Sequence, residues 1–145
     1  MGIVSIISTA GIFIYLTVIQ STNRAESLSR VDGVASLLME TMVREIRSAQ
    51  CLEGSSEALN ILNSRCDVVE VTYALGGAES DELLRNGNRL NPPSAAVTEL
   101  RFSPEVITYN TKAVHITMTV GRKDAPRSDY QAAVTLTETV TLRQY

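Results

Sequence analysis

The sequence predicts an α+β fold, one long N-terminal helix packed on an antiparallel β-sheet meander, and three observations carry that prediction. Residues Met1 to Gln20 form an apolar run without charge or proline. Apolar residues then recur at intervals of three and four as far as Gln50, and from Asp67 the period falls to two. The first pattern suits a helix in an apolar solvent, the second a helix with one face on a core, and the third half-buried strands.

The helix is taken first. Its polar interruptions before Gln20 are Ser5, Ser8, Thr9 and Thr17, hydroxyls that can bond back to the helix. About 20 such residues cross a bilayer, so residues 1–22 read as a membrane span. Ile3, Val4, Ile6, Ile7 and Ile12 are expected to face the apolar surround, together with Phe13, Ile14, Leu16, Val18 and Ile19. Residues 23–50 read as the amphipathic continuation, whose stripe runs Leu28, Val31, Val34 or Ala35, Leu38, Met42, Ile46 and Ala49. Leu28, Val31, Leu38, Met42 and Ile46 are expected on the sheet. Glu26 lies four before Arg30, and Glu40 four before Arg44, the acid-first order that stabilises an exposed helix by a few tenths of a kcal/mol. An unbroken helix from Met1 to Gln50 would be roughly 75 Å long. Fewer than 100 remaining residues cannot cover it, so part must protrude. Gly11 and Gly33 mark positions for a bend or a close neighbour.

With the first part in lipid, a chain of 145 residues has material for one soluble domain, residues 51–145. The net charge is −3, with acids and bases mixed, so no basic face is offered to nucleic acid. No Trp, two Phe and five Tyr leave little to stack on bases or sugars. Cys51 and Cys66 bracket a loop that a disulfide can close if both thiols reach an oxidising compartment; otherwise they are two thiols. An extracytoplasmic domain after a single span favours the bond, which would tie the helix end to the first strand. A loop of about 15 residues makes it worth on the order of 3 kcal/mol.

The strands follow in order. Asp67 to Leu75 alternates, with Val69, Val71 and Tyr73 on one side. Gly76 to Asp81 is a turn, and Glu82 to Arg85 a short strand entering the tight loop Asn86-Gly87-Asn88. Pro92-Pro93 forces extended chain, Val97 to Ser103 alternates again, and Pro104 ends it. Ala113 to Gly121 sets Val114, Ile116, Met118 and Val120 against His115, Thr117 and Thr119. The last strand sets Tyr130, Ala132, Val134, Leu136, Val140 and Leu142 against Thr and Gln, with Glu138 interrupting the apolar side. Residues 122–129 read as a solvated hairpin tip. The sheet needs a cover, and the amphipathic half of the helix is the cover available.

A helix of this kind followed by an antiparallel sheet resembles the type IV pilin and pseudopilin superfamily over nearly the whole chain. Leu37 to Ala49, with its Arg44-Glu-Ile-Arg47 run, is similar to the helix of minor pilins and of the J-type minor pseudopilins of type II secretion. Val69 to Tyr73, Leu83 to Arg85 with the Asn-Gly turn, Val97 to Phe102 and Thr139 to Arg143 are similar in order and spacing to that subgroup's sheet. The family's basic leader, cleavage site and early acidic residue do not occur before or within Met1 to Gln20. The expectation is that Met1 falls about ten residues inside the family's mature start.

The resemblance implies a single-pass inner-membrane subunit with an extracytoplasmic domain. It would then be drawn into a periplasmic or cell-surface filament, as a minor, initiating or tip subunit. The implied partners are other pilin or pseudopilin subunits, an inner-membrane assembly platform, and membrane lipid before assembly; no nucleic acid and no cofactor is expected. No enzyme is expected either. His115 has no carboxylate or cysteine spaced to orient it, and the two cysteines lack CxxC spacing. Gly76-Gly77 lacks the Lys and Ser or Thr of a phosphate loop. The alternative from another class is a membrane-tethered binding module, a pilus-tip adhesin or DNA-uptake receptor. It would use residues 86–95 or 122–129, with Arg85, Arg89, Arg122, Lys123 and Arg127 as its cations.

Overall fold

The computed structural model describes residues 2–108, 110–123 and 132–142, with side chains from residue 12 onward. Helix α1 spans Gly2–Ser48, 47 residues, which at 1.5 Å per residue is about 70 Å. It ends at Ser48, short of the expected Gln50, and continues through Gly11 and Gly33. A Cβ added at Gly33 would meet nothing within 4 Å, so no close neighbour among the described residues requires that glycine.

Nine strands follow: β1 Cys51–Ser55, β2 Ala58–Leu62, β3 Val69–Gly76, β4 Glu82–Arg85, β5 Asn88–Arg89, β6 Ala95–Ser103, β7 Val106–Ile107, β8 Ala113–Arg122 and β9 Ala133–Thr141. All pairings are antiparallel. They form two sheets, which corrects the single meander expected from the sequence. The first has the order β5-β4-β3-β2-β1-β7 and the second β6-β8-β9. The break falls at residues 90–94, where Pro92 and Pro93 have no amide for a ladder. The chain leaves the first sheet there and β6 pairs with the long strand β8.

The segment between the cysteines, read as a loop, is instead the hairpin β1–β2. Leu52, Leu59 and Ile61 point into the core from it. Its turn is tight enough that a Cβ at Gly54 would overlap the Ala58 carbonyl oxygen, so glycine is required there. The Asn-Gly turn forms as expected, with Asn86 and Gly87 both at positive φ and Arg85 paired with Asn88.

One core joins the helix to both sheets. Ala35, Met42 and Ile46 of α1 meet Leu52, Leu59, Tyr73 and Leu83 of the first sheet and Val97, Phe102, Ile116, Met118 and Val140 of the second. The helix lies along β8 and β9. At the start of β3 the alternation runs past the core: Tyr73 is buried, but Val69 is 47% exposed. On β9, Val140 is buried, Val134 and Leu136 are half-buried and Glu138 is exposed. Tyr130 and residues 124–129 lie outside the described residues.

Candidate functional site

The feature that stands out is the unpacked first half of α1. Ile12, Phe13, Ile14, Tyr15, Leu16, Val18 and Ile19 are all exposed, Phe13 to 72%. These side chains point to every side of the helix, so no single face could be buried by one neighbour. The hydroxyls among them bond to the helix itself: Thr17 Oγ1 donates to the Phe13 carbonyl, and Ser21 Oγ and Thr22 Oγ1 to that of Val18, each at 2.9 Å. A helix so satisfied presents hydrocarbon and few unmet polar groups. Among the described residues no helix is long and apolar enough to cross a membrane. Ile3, Val4, Ile6 and Ile7, which carry the other part of the uncharged run, lie outside the described side chains.

The second half of α1 is packed. Val31, Leu38, Met42 and Ile46 are buried, as are Ala35, Met39 and, just beyond the helix, Ala49. Leu28, expected on the same face, is 45% exposed, while Ser27 beside it is buried. Ser27 and Val31 border Ser94, Ala95 and Arg122, so contact with the second sheet reaches past Leu28, which lies at the margin of the buried face. The buried face at this turn therefore runs through Ser27 and Val31, not through Leu28. The outer face carries the expected pairs, Arg30 to Glu26 at 2.7 Å and Arg44 to Glu40 at 3.9 Å. They are exposed and contribute little.

Three polar clusters fix the domain around the helix, and the sequence reading named none of them. Glu45 accepts from the Tyr73 hydroxyl at 2.7 Å and pairs with Arg85 at 3.0 Å, joining α1 to β3 and β4. Burial, reinforced by the Glu45 carboxylate, pushes the Tyr73 hydroxyl well above its usual range, so it stays a neutral donor. Buried Asn91 accepts from the Leu83 amide at 2.8 Å and donates to the Ala95 carbonyl at 2.6 Å, bridging the two sheets where the prolines interrupt the ladder. Asp81 pairs with Lys123 at 2.5 Å, tying the β3–β4 turn to the end of β8. The hydrogen bond from Lys123 holds the Asp81 carboxyl below its ordinary value, and that bond holds Lys123 above its own. A Tyr on the inward side of β3 and an Asn before two prolines were the available signals. Sequence spacing could not show which charges they meet.

Cys51 and Cys66 are joined by a disulfide. It links the start of β1, just after the helix, to the β2–β3 connection, not to the first strand beyond Asp67. Both cysteines border an open groove of about 590 Å³ along Leu52, Glu53, Asn60, Leu62 and Val106. His115 Nδ1 lies 2.6 Å from Thr139 Oγ1 on the exposed face of the second sheet, with a hydroxyl as its partner. No group of three His, Cys, Asp or Glu side chains is placed to hold a metal among the described residues. Of the cations considered for a basic patch, Arg85, Arg89 and Lys123 are engaged by Glu45, Glu82 and Asp81. Arg127 lies outside the described residues. Searches of protein-family models, curated proteins and solved structures find no match to this chain.

Proposed function

We propose that this chain is a pilin-like structural subunit that is stored in a membrane and assembles into a filament through the first half of α1, as a minor subunit of a type IV pilus or type II secretion pseudopilus. The observation that carries the reading is the division of one continuous helix. From Val31 to Ile46 its inner face is buried in the domain, whereas from Ile12 to Ile19 its large apolar side chains are exposed all round. The resemblance of the Leu37 to Ala49 string and of the strand strings supports the same assignment.

The physics of such a subunit needs no bond chemistry. Lipid and neighbouring helices are both apolar surroundings for Phe13, Ile14 and Leu16, so transfer from one to the other changes little hydrophobic free energy. A small external bias can then move subunits between membrane and filament. The folded domain, closed around residues 31–49 and stapled by the disulfide, travels as a rigid unit.

The test is membrane retention. Ile14→Asp places a charge among exposed apolar side chains and costs about 2.5–3.5 kcal/mol at the centre of a spanning helix. The variant is expected to wash from membranes at alkaline pH and to fail to assemble, while the disulfide and the thermal unfolding of the domain are unchanged. Equal retention of variant and parent would refute the reading. The engagement of Arg85, Arg89 and Lys123 by carboxylates disfavours the tethered DNA-binding alternative, because neutralised cations release few counterions from a nucleic acid.

A further inference from the structure

Strand β9 closes one side of the second sheet. It pairs with β8 along Ala133 to Thr141, and no strand lies on its other side among the described residues. Its nine residues extend about 30 Å. They contain no proline, lysine or arginine, and their register with β8 runs without a shift. Proline, lysine, a bulge and a short length, which blunt many edges, are therefore absent from β9; α1 packs along the sheet beside it, and Glu138 is the one charge on the strand. The strand is held in place from its outer face, where Thr135 meets Thr119 at 2.9 Å and Thr139 meets His115 at 2.6 Å.

One residue on the inner face does not fit the packing. Glu138 stands between half-buried Leu136 and buried Val140, opposite Ile116, exposed and in no ion pair among the described residues. A valine there would continue the apolar side, and the carboxylate makes no hydrogen bond or ion pair among the described residues. It does govern what can pair with the edge. In an antiparallel pair centred on two copies of β9, the two Glu138 carboxylates fall opposite or diagonal on one face, within about 8 Å, and repel. A foreign strand with a cation at that place is attracted instead. Repulsion of self and attraction of a basic partner together make an edge selective.

We propose that β9 is a docking edge for an extended segment of a different polypeptide, one that carries a lysine or arginine facing Glu138. This inference stands on the second sheet alone and does not depend on the filament reading.

The test uses the full chain in detergent micelles and three fluorescent nine-residue peptides that alternate threonine with valine. One has a central lysine, one a central glutamate, and one the lysine with alternate amides methylated. Anisotropy is expected to show binding of the lysine peptide, binding weaker by about fivefold for the glutamate peptide, and none for the methylated one. Glu138→Lys, an exposed change, is expected to reverse the order of the first two. Slowed amide exchange should be confined to residues 133–141. Absence of binding by every peptide, or equal binding of both charges to both chains, would overturn the proposal. Concentration-dependent pairing of the unmodified chain with itself, protecting β9, would also overturn it by making a second copy the occupant.

Discussion

Single residues set how firmly the domain holds the helix. Asn91 links the two sheets through its side-chain amide, accepting from Leu83 N–H and donating to Ala95 C=O. Asn91→Ala leaves both buried groups unpaired and is expected to cost about 2–3 kcal/mol by chemical denaturation, an effect that a surface asparagine would not show. Asp81 makes an acid-dependent contribution. Its folded pKa is depressed by Lys123, so its stabilisation is present above the unfolded value near 3.8 and fades as pH falls through the lower folded value. Asp81→Asn is therefore expected to flatten the acid limb of stability below about pH 4. An unchanged acid limb would mean that the Lys123 pair contributes nothing. Neither residue was legible in the sequence. Asn91 fell within residues 86–95, read as a loop of the binding alternative, and Asp81 at the end of a turn, because the partners of a polar side chain are set by tertiary contacts that local pattern does not encode.

At the scale of elements, period was a good guide and the limits of contact were not. The stripe from Val31 to Ile46 was readable because each residue recurs on one face of α1 and meets a sheet. Leu28 follows the same rule but lies at the margin of the buried face, where Ser27 takes the covered position. Met42→Ala is thus expected to cost about 2–5 kcal/mol and Leu28→Ala less than about 0.5, measured as denaturation midpoints of the two variants. Comparable losses would place Leu28 in the core after all. The β1–β2 hairpin was not legible because its connection lacks the Asn-Gly signal that marks the still shorter β4, and its Gly and Ser content resembles a loop. The partition into two sheets was hidden for a related reason. Alternation identifies strands but not partners, and β6 and β7 join different sheets although adjacent in the chain.

The whole molecule combines a domain of two sheets closed on half a helix with an apolar stretch, Ile12 to Ile19, that none of the described residues covers. A helix of 47 residues outruns what so small a domain can bury, and the sequence already required that excess from length and composition. What the excess meets is the central claim: lipid first, and the helices of other subunits after assembly. A photo-crosslinking residue at Ile14, compared with one at buried Met42, tests it most directly in the membranes of the native host. The account predicts lipid adducts at position 14 before assembly, adducts with the helices of pilin-like subunits once assembly is running, and only intramolecular products at position 42. Position 14 reacting with water alone, or with this chain's own sheets, would contradict it.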